Sequence, residues 1–116
     1  MHFRIATAFL LFLSLALDIA SVHAEDNAGQ ALAFDRSKGN CLACHAFPNN
    51  PAATSAGNIG PPLMSMKSRY PDRAKLRAQI WDATARNPNT SMPPFGKNKI
   101  LSEPEIDQIT DFIQRQ

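Results

Sequence analysis

Cys41, Leu42, Ala43, Cys44 and His45 follow one another in the chain. Two thiols two residues apart, with an imidazole directly after, are what covalent attachment of a c-type haem requires. Each sulfur adds to one vinyl group, and the histidine ligates the iron from one side. If each of these rare residues occurs about once in fifty positions, the spacing arises by chance in on the order of one chain per thousand of this length. A structural zinc site would need further ligands, usually a second Cys/His pair. Cys41 and Cys44 are the only cysteines, and the other histidines, His2 and His23, precede the expected start of the mature chain. A thioredoxin-like dithiol would sit where a strand runs into a helix, and little here reads as strand. Covalent haem attachment is the chemistry these residues point to.

Two further groups of residues carry chemical interest. Asn87 to Gly96 reads Asn-Pro-Asn-Thr-Ser-Met-Pro-Pro-Phe-Gly, and its prolines forbid helix and stiffen the backbone around the thioether of Met92. Met64 and Met66 are the competing thioethers. They fall in a segment that reads as helix close to His45, where a role as adaptable core fillers suits them. Lys67, Arg69, Arg73, Lys75 and Arg77 gather five positive charges opposed only by Asp72. Such a run is either a solvated helix face or a docking surface for an anionic partner.

The beginning of the chain reads as a secretory signal. Arg4 supplies the positive start, Ile5 to Leu17 is an uncharged apolar run, and Val22-His23-Ala24 ends in a small residue. The run is stopped by Asp18 and falls short of the ~20 apolar residues of a membrane span. Residues 1–24 are therefore expected to be cleaved, leaving residues 25–116 as one domain. Export fits the thiol pair, because in bacteria c-type haem is attached outside the cytoplasm, and the expected compartment is periplasmic. Loss of Arg4 and Asp18 together leaves the net charge at +2, far from that of a nucleic-acid-binding chain. A domain this small has a marginal core, so a covalently held haem should supply much of the buried apolar surface.

The elements that must hold these residues read as helices. Asp26 to Ser37 has Asp26 or Asn27 as a cap and Ala28, Ala31 and Leu32 along one stripe, with Gly39 as the stop. Ala46 to Pro62 has no hydrophobic period and reads as a loop, long enough that wrapping a haem edge accounts for it. Leu63 to Tyr70 reads as a short helix. Pro71 opens another to about Ala85, with Leu76, Ile80 and Thr84 at four-residue spacing and Trp81 beside them as a packing residue. Ser102-Glu103-Pro104-Glu105 is a capping box with Leu101 and Ile106 as its hydrophobic staple. Beyond it Ile106, Ile109 and Ile113, with Phe112, face inward. Packing this last helix across the first would close an all-α fold.

Helices around one covalent haem, with histidine on one side and a loop methionine on the other, resemble the plan of class I cytochromes c. Gly60-Pro61-Pro62-Leu63 resembles that family's Gly-Pro-x-Leu segment. The resemblance implies that the Pro61 carbonyl orients His45, that Leu63 packs on the porphyrin, and that Met92 is the second axial ligand. Six-coordinate iron leaves no position for a substrate, so the expected work is single-electron transfer with one haem c per chain.

A finer resemblance covers nearly all of the mature chain. Lys38 to His45, Gly60 to Leu63, and the run from Tyr70 through Ile80-Trp81-Asp82-Ala83-Thr84 to Met92-Pro93-Pro94-Phe95-Gly96 are similar to the SoxX family. These are the small cytochrome subunits of SoxAX complexes in bacterial sulfur oxidation. The resemblance implies a heterodimer with a SoxA cytochrome that joins thiosulfate to a cysteine of the SoxYZ carrier. This subunit would take electrons from SoxA and pass them to a soluble cytochrome c. The chain would then be a non-catalytic part of an L-cysteine S-thiosulfotransferase, with no catalytic residue of its own. The rivals are a free-standing monohaem carrier and a haem-based ligand sensor in which Met92 does not ligate.

Overall fold

The computed structural model describes residues 23–24 and 26–116. The expected signal segment, all but its last two residues, and the expected cleavage point at residue 25 lie outside the described residues. Residues 26–34 form α1. A 3-10 turn follows at Cys41–Ala43, then α2 (Met66–Arg69), α3 (Arg73–Trp81), a second 3-10 turn at Ala83–Ala85, and α4 (Glu103–Gln114). Helices are the only regular elements among the described residues, and the fold is the small all-α one expected.

The last helix is the best specified. Ser102 Oγ accepts from the Glu105 backbone N–H at 3.4 Å while Glu105 Oε2 accepts from the Ser102 N–H at 2.9 Å, closing the capping box. Leu101 and Ile106 are both buried as the staple requires, and Ile106, Ile109, Phe112 and Ile113 form the buried face. α4 crosses α1 at Gly29. A Cβ on that glycine would lie 2.4 Å from the Gln108 carbonyl oxygen and 2.6 Å from Phe112 Cβ, so only hydrogen there lets the backbones meet. Phe34, Phe47 and Phe112 pack about this crossing with centroids 5.0 to 6.0 Å apart.

Several helix boundaries differ from expectation, each for a local reason. α1 ends at residue 34 rather than Ser37, because the Asp35 carboxylate takes the backbone N–H and hydroxyl of Ser37, both at 2.7 Å. Residues 23–24 are helical too, so neither Asp26 nor Asn27 caps the helix, and Asp26 pairs with Arg115 instead. Ala31 is exposed; the crossing at Gly29 turns Gly29 and Ala33 inward. The left-handed residue before the haem motif is Asn40 (φ 48°), not Gly39. Gly39 instead allows close approach, since a Cβ there would stand 3.0 Å from the Leu32 carbonyl oxygen and 3.2 Å from Cys41 Sγ.

The expected helix from Leu63 to Tyr70 shortens to the single turn of α2, which starts only after Ser65 (φ 52°). α3 begins after Pro71, with Asp72 as its cap accepting from the Ala74 N–H, and stops at Trp81 instead of reaching Ala85. Asp82 ends it by turning its carboxylate to the Thr84 N–H at 3.0 Å, which starts the 3-10 turn. Leu76, Ile80 and Ala83 are buried.

α3 packs on α4, and its basic face is partly consumed there. Arg73 reaches Asp107 and Asp111, and Arg77 reaches Asp107 and Glu103. Arg77 also lies 5.5 Å above the Trp81 ring. Two of the five clustered cations are thus intramolecular partners rather than a free docking face.

Candidate functional site

The short turn at Cys41–Ala43 carries the thiols. Asn40 in the left-handed region sends the chain into it, and the backbone N–H groups of Cys44 and His45 both donate to the Cys41 carbonyl, at 3.2 and 2.9 Å. The long loop then folds back over this turn. Gly57 N–H donates to the Leu42 carbonyl (2.7 Å), Gly60 N–H to Cys44 (2.8 Å) and Leu63 N–H to Ala46 (2.8 Å). This ladder lays Gly60 to Leu63 as a strap beside the imidazole.

The strap sets the state of His45. Nδ1 lies 2.7 Å from the Pro61 carbonyl oxygen. A carbonyl can only accept, so Nδ1 carries the proton and donates, leaving Nε2 with its lone pair free for a metal. Gly60 is where ring and backbone touch: a Cβ there would fall 2.3 Å from Cε1 and 2.8 Å from Nε2. Any side chain at position 60 would displace the imidazole.

Met92 comes from a second rigid loop. Its N–H donates to Thr90 Oγ1 at 3.2 Å, Thr90 N–H to the Asn87 carbonyl at 3.0 Å, and Asn89 N–H to Asn87 Oδ1 at 3.1 Å. One end of the loop is tied to the second 3-10 turn and the other to the last residue of α3. Asn87 N–H donates to the Ala83 carbonyl (3.1 Å), and Gly96 N–H to that of Trp81 (3.0 Å). Gly96 lies flat on the Trp81 ring, where a Cβ would come within 2.0 Å of a ring carbon. This contact was not legible in the sequence, although an aromatic residue and a glycine flanking a proline loop are its ingredients.

Cys41, Cys44, His45, Pro61, Leu63 and Met92 all line one cavity of about 680 Å³. That lies within the ~300–1,000 Å³ usual for cofactor pockets. Ile80, Phe95, Leu101, Ile109 and Ile113 supply much of its apolar wall. Ile80, Ile109 and Ile113 read as inward stripes from the sequence; in the fold those stripes are also cavity lining, because α3 and α4 turn their inward faces to the space between the two loops. Met66 is a buried core residue and lines the cavity, but its sulfur receives Arg69 Nη1 at 3.5 Å. Met64 is 39% exposed, against the expected core role, and is absent from the cavity wall.

The donor set fits a covalently held haem. Both thiols are free and half-buried on the cavity wall, His45 has one ring nitrogen not engaged by Pro61, the thioethers of Met66 and Met92 lie on the same wall, and much of that wall is apolar. Burial pushes the Cys41 thiol up to about 12. A thiol so raised is a poor thiolate nucleophile, which needs a lowered value. Among the described residues no three His, Cys, Asp or Glu side chains are grouped to hold a metal ion directly.

The family described as cytochrome c oxidase, cbb3-type, subunit III has a model that matches residues 24–113. A protein of Aquifex aeolicus (strain VF5) described as an uncharacterized lipoprotein is 32% identical over 76 residues, covering 66% of this chain. The match covers 36% of that relative's length, so the chain spans little more than a third of it. No helix among the described residues is long and apolar enough to cross a membrane.

Proposed function

Because this chain belongs to the family of cytochrome c oxidase, cbb3-type, subunit III, and so to the monohaem cytochromes c, we propose that it is a periplasmic electron-transfer protein. In this reading haem c is held through Cys41 and Cys44, with His45 and Met92 as axial ligands. The observation that carries it is the 2.7 Å contact from His45 Nδ1 to the Pro61 carbonyl, which leaves Nε2 as the ligating nitrogen in a cavity shared with both thiols and Met92. When bound, haem c supplies a one-electron couple, with methionine ligation and burial raising its potential.

The chain's residues do the rest. Pro61 fixes the tautomer of His45 and Gly60 fixes the place of its ring. The loop from Asn87 to Gly96 presents the thioether, and the faces of α3 and α4 exclude water. The engaged sulfur of Met66 favours Met92 as the iron ligand.

The finer proposal is a SoxAX-type subunit, paired with a SoxA-type cytochrome and relaying electrons to a soluble cytochrome c while SoxYZ carries the substrate. It is supported by the resemblance from Tyr70 to Pro94 and by both cysteines being committed to haem, which leaves no thiol for sulfur chemistry. The extracytoplasmic placement is supported by the apolar start of the sequence and by the lipoprotein description of the Aquifex relative.

The test is expression of the full chain with a haem-maturation system. Mass spectrometry should show one haem surviving denaturation, and the ferric spectrum should show the weak far-red sulfur-to-iron band. Capture of a SoxA-type cytochrome supports the finer reading; thiosulfate turnover with the carrier by this subunit alone would overturn it.

A further inference from the structure

We propose that Arg69 is a positioning residue for the haem histidine, acting through the strap that orients it. The proposal rests on the haem reading above. Pro61 and Pro62 have no N–H, so between the anchored Gly60 and Leu63 the strap can be held only through its two carbonyls. The Pro61 carbonyl is given to His45. The Pro62 carbonyl receives Arg69 Nη1 at 2.8 Å, and the same nitrogen lies 3.5 Å from Met66 Sδ.

The guanidinium is therefore the side-chain tie between the strap and α2. Its own base is fixed to the end of the molecule. Met66 N–H donates to the Gln116 carbonyl at 3.0 Å, and Gln114 Nε2 donates to that of Tyr70 at 2.9 Å. A continuous line of contacts runs from α4 through α2 and Arg69 to Pro62, Pro61 and His45.

One guanidinium nitrogen faces both carbonyl and thioether, and its charge strengthens the hydrogen bond to Pro62. Among the described residues no carboxylate pairs with Arg69, unlike Arg73 and Arg77. Without Arg69, the Pro62–Leu63 peptide keeps only its N–H bond to Ala46, the neighbouring peptide that presents the Pro61 oxygen is held less firmly, and the His45 bond opens more often.

The reduced holoprotein tests this by the rate at which the His45 Nδ1–H exchanges with solvent in nuclear magnetic resonance. Arg69→Gln should accelerate that exchange about tenfold or more, as loss of one charge-assisted bond implies. Arg69→Lys, which keeps a charged donor but not the fork, should fall between. Amide exchange along α4 should stay unchanged. Unaltered His45 exchange in Arg69→Gln, or an equal acceleration along α4, overturns the proposal.

Should the variants fail to mature, the wild-type protein decides. Separately resolved Arg69 Nη–H signals with cross-peaks to the Met66 methyl support the clamp, and a single averaged signal refutes it. Failure of the haem reading itself would show separately, as a wild-type product carrying no covalent haem.

Discussion

At the scale of single residues, the site depends on what each atom has left to offer after its local bonds are made. His45 donates its Nδ1–H to the Pro61 carbonyl, which turns Nε2 to the proposed role of ligand, and the contact of Arg69 with the Met66 sulfur favours Met92 as the proposed thioether ligand. Replacing Met92 with Ala should abolish the far-red band of the ferric protein and let the reduced form bind carbon monoxide quickly, as absorption spectroscopy would show. Retention of the band would place the ligand elsewhere. Glycine matters where backbone meets ring. Gly60→Ala puts a methyl 2.3 Å from the His45 ring and, as overpacking, should cost about 1–3 kcal/mol in denaturant unfolding with a perturbed haem spectrum. Such roles are half legible: the haem motif and the proline strap can be read from neighbouring letters, whereas Gly96 against Trp81 joins residues that only folding brings together.

At the scale of elements, α3 and α4 are joined by a buried seam and by charge pairs along its edge. Arg77 and Arg73 hold Asp107 below the ordinary aspartate value of 3.8, chiefly through the Arg77 hydrogen bond, and Lys38 holds Glu105 below 4.5. A carboxyl whose folded value is depressed stabilises the fold above its unfolded value, and that contribution disappears as pH falls through the folded value. Stability should thus be flat from neutral pH to about 5 and decline below about 4, as denaturant midpoints across that range would show. These pairs are solvent-facing, so each contributes little and weakens with salt. Asp107→Asn should remove part of the acid slope; an unchanged slope would assign it to other carboxyls. The charge cluster was visible in the sequence but not its use, because the partners of Arg73 and Arg77 lie on a distant helix.

At the scale of the whole molecule, the cavity is the organising fact. The inward faces of α3 and α4 meet each other only in part and otherwise line a space of about 680 Å³ between the two loops. A small domain with so much of its apolar surface turned to a cofactor site should be poorly folded without the cofactor. Circular dichroism of the haem-free chain should show markedly less helix and a broad thermal transition beside the haem-loaded protein, and equal spectra would refute this. Arg73 and Arg77 are committed to α4 and Arg69 donates to the Pro62 carbonyl, which leaves Lys67 and Lys75 as the exposed cations of the basic run with no such tie for any electrostatic steering of a partner.

What sequence determined by itself was everything encoded between near neighbours: the thiol pair and its histidine, the capping box with its staple, the proline-stiffened methionine loop, and the inward stripe of α4. These rest on bonds and periodicities spanning a few residues, so type and spacing suffice. The helix stops at Asp35 and Asp82 are local as well, since each carboxylate takes a backbone N–H two residues on. Tertiary structure alone decided which face of α1 is buried and which cations are spent on α4. Those outcomes turn on contacts between residues far apart in the chain, whose energies exist only once the packing has brought them within a few ångströms.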